Sequence, residues 1–236
     1  MKTTKPTIPE HIAIIMDGNR RWAREHNLPI LEGHRKVVDG VLESLIEHAA
    51  DMGIQFLTLW AWSTENWKRD SAEVKGIMNL LRYGFKTFGD RMHKKGIRIR
   101  VIGDTASFDS DIRELLSHYS EKTKDNTRIT VVFALNYGGR DEIIRACNRL
   151  LDSHASQTPN TKISEEYFTQ FLDTAGIPDP EMVIRTGGEK RLSGFLLWQS
   201  QYSELFFVDW HMPDFSPEKL DNLVEQYEMR HRRFGS

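Results

Sequence analysis

The 236-residue chain has one cysteine, Cys147. A disulfide within the chain is therefore impossible, which fits a reducing compartment such as the cytoplasm. Cys147 follows Ile143-Ile144-Arg145-Ala146 and reads as a small residue packed on a helix rather than as a nucleophile. Long apolar runs are also lacking. No window approaches the ~18 apolar residues of a membrane-spanning helix, and Met1-Lys2-Thr3-Thr4-Lys5-Pro6 does not lead into the apolar region of a secretory signal. Contact with a membrane surface stays open. Charge of one sign is not in excess either, since the formal net charge is -2. That leaves no global basic field for nucleic acid and no acidic tail. No Gly-x-x-x-x-Gly-Lys-Ser/Thr occurs, so a P-loop is excluded.

What is present is ordinary for a globular α/β protein, with 39% hydrophobic and 28% charged residues. Length, the absence of repeats and the absence of a linker predict one domain over residues 1–236, with 1–10 flexible and 230–236 forming a C-terminal arm. Six apolar runs read as buried strands: His11–Asp17, Phe56–Ser63, Ile97–Asp104, Ile129–Tyr137, Met182–Thr186 and Glu204–Trp210. Helical periods fill the gaps between them. Val37, Val38, Val41, Leu42, Leu45, Ile46 and Ala49 form one, stopped by Gly53. Val74 to Phe88 form another after a cap at Asp70 or Ser71. Further helices hold Ile112, Leu115 and Leu116, then Ile143 to Leu151, then the segment from Ser164 to Gly176. Ser216-Pro217-Glu218 opens the last. His154–Lys162 reads as a loop. This alternation predicts a mostly parallel six-stranded sheet flanked by helices.

In such sheets ligands gather at the carboxyl ends of the strands. The first strand ends in Asp17-Gly18-Asn19-Arg20-Arg21-Trp22. A carboxylate, a glycine and two arginines at a strand-to-helix turn suit a diphosphate with Mg²⁺, though Asp17 could equally cap the next helix. The second ends in Ser63-Thr64-Glu65-Asn66-Trp67-Lys68-Arg69, which could grip phosphate or could be a solvated turn. The fifth ends in Arg185-Thr186-Gly187-Gly188-Glu189-Lys190-Arg191-Leu192-Ser193, whose arginines suit a multiply charged oxyanion. Three arginine-bearing strand ends pointing to one edge favour a shared anion site.

Together with Gly33-His34, Asn136-Tyr137-Gly138-Gly139-Arg140, Phe195-Leu196-Leu197-Trp198-Gln199, Tyr202-x-Glu204-Leu205 and Arg232-Arg233-Phe234-Gly235, these stretches resemble the cis-prenyltransferase family. Its bacterial type is undecaprenyl diphosphate synthase. The resemblance implies a Mg²⁺-dependent enzyme that condenses isopentenyl diphosphate onto an allylic diphosphate, farnesyl diphosphate among the candidates. Its product would be a Z-polyprenyl diphosphate serving as a lipid carrier for cell-wall sugars. It implies catalytic roles for Asp17 and Asn66, and Mg²⁺ at Asp17 and Glu204. It implies substrate contacts from Gly18, Asn19, Arg20, Arg21, Trp22, His34, Ser63, Thr64, Glu65, Trp67 and Arg69. Arg185, Arg191, Leu192 and Ser193 join them, and Arg233 and Gly235 would close over substrate in the partner subunit of a homodimer. A hydrophobic tunnel would hold the growing chain, and the helix from Ser71 to Lys94, with Leu80, Tyr83, Gly84 and Phe88, could line it. No Asp-Asp pair occurs, which sets aside the all-helical trans-type synthases. A short-chain cis-prenyltransferase and a non-catalytic subunit are the alternatives. The chain departs from the usual family pattern at Arg20, Ile30, Trp62, Lys190 and Gly194, which bears on starter and product.

Overall fold

A computed structural model describes residues 8–154 and 162–230. Six strands form one sheet: β1 His11–Ile15, β2 Phe56–Ser63, β3 Ile97–Ile102, β4 Ile129–Tyr137, β5 Met182–Arg185 and β6 Glu204–Phe207. Their order is β3-β4-β2-β1-β5-β6, and every neighbouring pair is parallel. The sheet expected from the apolar runs is therefore present in full and wholly parallel. Four strands end earlier than the runs do. Beyond Ile15 the Asp17 amide turns back to donate to the Ile15 carbonyl at 2.9 Å, and Gly103 leaves β3 at φ +105°.

Eight helices accompany the sheet among the described residues: α1 Asn19–Glu25, α2 Ile30–Lys36, α3 Leu42–Asp51, α4 Ser71–Lys94, α5 Ser110–Lys122, α6 Gly139–His154, α7 Glu165–Thr169 and α8 Pro217–Met229. α1 and α2 carry no long apolar period, and neither is among the helices expected from periodicity. The period from Val37 to Ala49 is helical as expected, but it opens with a π turn at Val37–Val41 that joins α2 to α3. α4 runs over the expected residues, and the Asp70 carboxylate accepts from the amides of Ala72 and Glu73 at 2.9 and 3.4 Å. α7 ends at Thr169, and turns lead on to Gly176. Most of the expected loop 154–162 lies outside the described residues. Of the stretch 1–10 expected to be flexible, residues 1–7 lie outside the described residues. Pro9 is buried, and the Glu10 carbonyl accepts from the amides of Gln55 and Phe56, both at 3.0 Å. Among the described residues no helix is long and apolar enough to cross a membrane.

Alternation along the strands sends side chains to two cores. Ile12, Ile14, Leu57 and Leu59 face α3, α4, α5 and α8, while Ala13, Ile15, Val132 and Ala134 face Phe195 and Leu196 on the other side. From β1 the chain moves one way to β2 and later the other way to β5. The switch point of the topology therefore lies between β1 and β5, where α/β sheets of this kind leave a crevice at their carboxyl edge.

Candidate active site

Asp17 stands just past β1 and Arg185 closes β5, two strands paired Ile15 to Arg185. An Arg185 Nη donates to Asp17 Oδ2 at 2.9 Å, and Arg21 brings a second guanidinium to the same oxygen at 3.3 Å. The Gly18 amide donates to the other oxygen, Oδ1, at 2.6 Å. Burial pushes the carboxyl up, but these donors and the two cations outweigh it and hold Asp17 below the usual aspartate range. The Asp17 backbone is pinned as well. Its amide donates to Thr186 Oγ1 at 3.0 Å, its carbonyl accepts from that hydroxyl at 2.6 Å, and Met212 donates to the same carbonyl at 3.0 Å.

Glycines let the two strand ends meet. Gly18 sits at φ +96°, and a Cβ there would lie 2.4 Å from His211 Nδ1. Gly187 sits at φ +86°, and its Cβ would lie 2.7 Å from an Arg21 Nη and 3.1 Å from the Gly18 nitrogen. Both positions combine a left-handed backbone with a packed neighbour, so only glycine fits them. Arg185, 6% exposed at the side chain, also donates to Ser193 Oγ at 2.9 Å and to the Arg191 carbonyl. The loop after β5 is thereby folded back over its strand. Glu189 takes an ion pair with Arg191 and lies 3.7 Å from Arg21.

The third expected strand end arrives from β2. Ser63 caps the turn Thr64–Lys68, and its amide donates to Asn66 Oδ1 at 3.1 Å. That bond commits the amide oxygen of Asn66 to the turn and leaves its Nδ2 for a ligand. Arg69 pairs with Glu73 at 3.0 Å, and Arg20 approaches the same carboxylate at 3.6 Å. Glu73 is absent from the expected site, although its i,i+4 spacing from Arg69 was a readable signal. His34 comes from α2. Burial first, then the cations of Arg69 and Arg20, lower its pKa to about 4, so the imidazole is neutral near pH 7.

These groups surround the mouth of a cavity of about 770 Å³, within the ~300–1,000 Å³ range of ligand pockets. The rest of its wall is mostly apolar: Val37, Val38 and Leu42 on one side, and Ile77, Leu81, Phe85, Phe88 and Met92 of α4 on the other, with Phe133 and Leu135 of β4. Leu80, Gly84 and Phe88 line it as expected, whereas Tyr83 does not and is partly exposed. Five buried polar atoms on lining residues have no hydrogen-bond partner: Asn19 Oδ1, Arg20 Nε, His34 Nε2, Trp62 Nε1 and Arg185 Nε. Unpaired donors of this kind are costly unless a ligand completes them. At the mouth, an oxyanion would do so for donors such as Arg185 Nε, whereas Asn19 Oδ1 is an acceptor and needs a donor.

Not every expected residue joins the site. Asp17, Gly18, Asn19, Arg20, Arg21, His34, Ser63, Glu65, Asn66, Arg69, Arg185, Arg191 and Ser193 all line the cavity. Trp22 does not. Its Nε1 donates to Asp214 at 2.8 Å, its ring stacks on His26 and Lys36 lies over it, so it fastens α1 to the turn after β6. Trp67 donates to Asn136 Oδ1 at 2.8 Å and packs on Trp62 and Phe108. Thr64 lies against Gly138, and Leu192 packs on the second core. Glu204 begins β6, three residues before the Phe207 that pairs with Arg185, and is ion-paired to Arg230 at 2.8 Å. It therefore sits at the amino end of the sheet, and within one chain the structure does not bring it to Asp17. Arg233 and Gly235 lie outside the described residues. Of the departures, Arg20 and Trp62 line the cavity; Ile30 and Lys190 do not. Met16, Glu43 and Glu189 line it without being among the expected contacts.

Among the described residues no group of three or more histidines, cysteines, aspartates and glutamates could hold a metal. Asp17 supplies an ionised carboxylate at the mouth, and the carboxylates of Glu65 and Glu189 line the cavity too. That fits Mg²⁺, which is commonly held by one or two carboxylates, water and the phosphates of a substrate.

Comparison with known proteins shows the family. The model of the prenyltransferase family described as undecaprenyl diphosphate synthase matches residues 15–235. An isoprenyl transferase of Agrobacterium fabrum is 46% identical over 235 residues, 99% of this chain and 95% of its own. The ditrans,polycis-undecaprenyl-diphosphate synthase ((2E,6E)-farnesyl-diphosphate specific) of Micrococcus luteus is 44% identical over 229 residues, 97% of this chain and 92% of its own. Among solved structures, lavandulyl diphosphate synthase from Lavandula x intermedia, in complex with dimethylallyl diphosphate, superposes with a TM-score of 0.92. It is 31% identical and covers 97% of this chain and 99% of its own.

Proposed function

Because the chain belongs to the undecaprenyl diphosphate synthase family and is a cis-type prenyl transferase, we propose that it lengthens an allylic diphosphate with isopentenyl diphosphate to give a Z-polyprenyl diphosphate. The observation that carries this reading is the joining of two environments in one cavity. Guanidiniums and unpaired donors crowd the mouth around Asp17, and apolar side chains line the rest. An amphiphile with a diphosphate head and a hydrocarbon tail is the substrate such a cavity suits.

The chemistry assigns work to each end. The C1–O bond of the allylic substrate breaks and its electron pair leaves with the diphosphate. The C4 alkene carbon of isopentenyl diphosphate bonds to C1, and a proton is lost from C2. Arg21, Arg185 and Arg191 stabilise negative charge on diphosphate. The unpaired Nε of Arg185 is an open donor for it. Asp17 is the residue that would hold Mg²⁺, which when bound neutralises the leaving diphosphate. Glu204 would reach the metal only from a partner chain. Ser63 and Asn66 position the second substrate, with Asn66 Nδ2 as the donor. The apolar wall keeps water from an allylic cation.

Farnesyl diphosphate is the proposed starter and a long-chain polyprenyl diphosphate the product, used as a lipid carrier for cell-wall sugars. The Micrococcus luteus relative, named as farnesyl-diphosphate specific, supports this at 44% identity. The lavandulyl diphosphate synthase likeness favours a short-chain alternative, at the lower identity of 31%. A homodimer is proposed as well. Large apolar residues stand exposed at Ile144, Leu151, Leu197, Tyr202 and Leu205, and β6 is an edge strand. Leu205 pairs with Val183 and so shares the face of the second core. Exposed apolar area beside an open edge suits a partner surface. A cytoplasmic enzyme releasing its lipid at the membrane surface completes the reading. The test is product analysis by mass spectrometry with farnesyl and isopentenyl diphosphates, with Mg²⁺ or with chelator. A Mg²⁺-dependent ladder ending near one long chain supports the reading. A single short product selects the short-chain alternative, and no elongation from any allylic starter overturns both.

A further inference from the structure

The distal end of the cavity differs in chemistry from its wall. From Ile77 to Met92 the lining residues of α4 span about 22 Å at ~1.5 Å per residue. Glu43 of α3 is the charged lining residue at that far end; all other charged lining residues belong to segments around the mouth. Its carboxylate is held from the opposite helix. An Arg91 Nη lies 2.7 Å from one oxygen and Lys95 Nζ lies 2.8 Å from the other. Lys95 is also paired with Glu47, and the Arg91 guanidinium sits 4.5 Å from the centre of the Phe88 ring. Phe88 itself lines the cavity. The ion pairs thus bridge α3 and α4 where the space between those helices runs out. Glu43 is 22% exposed at the side chain, so it faces solvent on one side and the cavity on the other.

We infer that Glu43, clamped by Arg91 and Lys95, is a latch across the distal end of the cavity that sets how long a hydrocarbon the enzyme builds. The inference rests on the functional reading above. A chain growing from the mouth pushes its apolar end toward α3 and α4. Apolar wall rewards each added unit until the chain meets Glu43. There it must strip water from a carboxylate, a guanidinium and an ammonium, or part them. Ion pairs this exposed are individually weak, so the latch resists the chain without being permanent. Glu43, Arg91 and Lys95 are positioning residues in this role, since they do not touch the reacting atoms.

The test is the product ladder of the parent and of Glu43→Gln and Arg91→Ala, read beside the kcat/KM for a single addition to farnesyl diphosphate. Both variants should give products longer by at least one five-carbon unit, with single-addition kcat/KM within about twofold of the parent. Unchanged or shorter products in folded Glu43→Gln and Arg91→Ala would overturn the latch alone. A parent chain that adds no unit to any allylic starter would overturn the functional reading and the latch with it.

Discussion

At the scale of single residues the site is organised by Asp17. Its two oxygens are shared among the Gly18 amide, Arg185 and Arg21, so the charge is held in place before any substrate arrives. Asp17→Asn keeps the shape and removes the charge. Its kcat should fall by about 10²-fold or more, the loss typical when one preorganised electrostatic group is removed. Far-UV circular dichroism should be unchanged. A variant turning over near the parent rate would show that the carboxylate is not the organising group. Arg185, nearly buried, would be left without its counter-charge, so some loss of thermal stability accompanies the change. Asn66 illustrates a role read better in three dimensions. Its oxygen caps a turn, which makes it a donor toward ligand.

At the scale of elements α4 is the informative one. It carries three glycines where alanine would be worth up to ~1 kcal/mol more helix stability each. Two give close packing. A Cβ at Gly76 would lie 2.4 Å from Leu31 Cδ1, and one at Gly89 2.4 Å from Tyr119 Cε1. Gly84 is different, since a Cβ there would meet only Val38 Cγ1, at 3.3 Å, and Gly84 lines the cavity. Gly84→Leu should therefore fold and keep the first addition while its side chain obstructs the cavity. Mass spectrometry should find shorter products than the parent gives. A full-length ladder from this variant would mean that the hydrocarbon does not run along α4.

At the scale of the whole molecule, His11 ties the amino end of the sheet together. Its ring nitrogens lie 2.7 Å from the Pro178 carbonyl and 2.7 Å from Thr58 Oγ1. Burial lowers its pKa from 6.5 to about 4, with the Pro178 bond opposing only in part. Between those two values the unfolded chain takes up a proton that the folded chain refuses. Stability is therefore full above pH 6.5 and is lost as pH falls toward 4. The loss is about 1.4 kcal/mol for each pH unit crossed in that window. His34, also lowered to about 4, acts in the same sense. Denaturant melts of His11→Gln should show a shallower fall over this range than the parent, and equal slopes would remove His11 from the account.

Much of this molecule was legible in its residues. Apolar runs marked the four central strands, because strands covered on both faces have little polar side to show. At the edges, β3 alternates Ile97-Arg98-Ile99-Arg100 and β6 opens on Glu204. The arginine-bearing strand ends marked the site, because parallel strands bring their carboxyl ends to one edge. Other parts were silent. α1 and α2 are too short for a period, and Trp22 and Trp67 occupy motif positions yet hold elements together. Glu43 looked like any solvated position on an amphipathic helix, since a cavity wall and a surface give the same pattern. The distance of Glu204 from Asp17 needed strand order as well as strand identity.

The pairing of Asp17 with Arg185 joins residues 168 positions apart. Closing so long a loop costs more entropy than local helices or the β1–β2 pair face. β5 cannot enter the sheet before it has been synthesised, and nothing in the first half of the chain can substitute for its arginine. The working site is thus a late product of folding. On refolding, helical circular dichroism should return before diphosphate binding does, and the lag between them measures how long the two halves take to find each other.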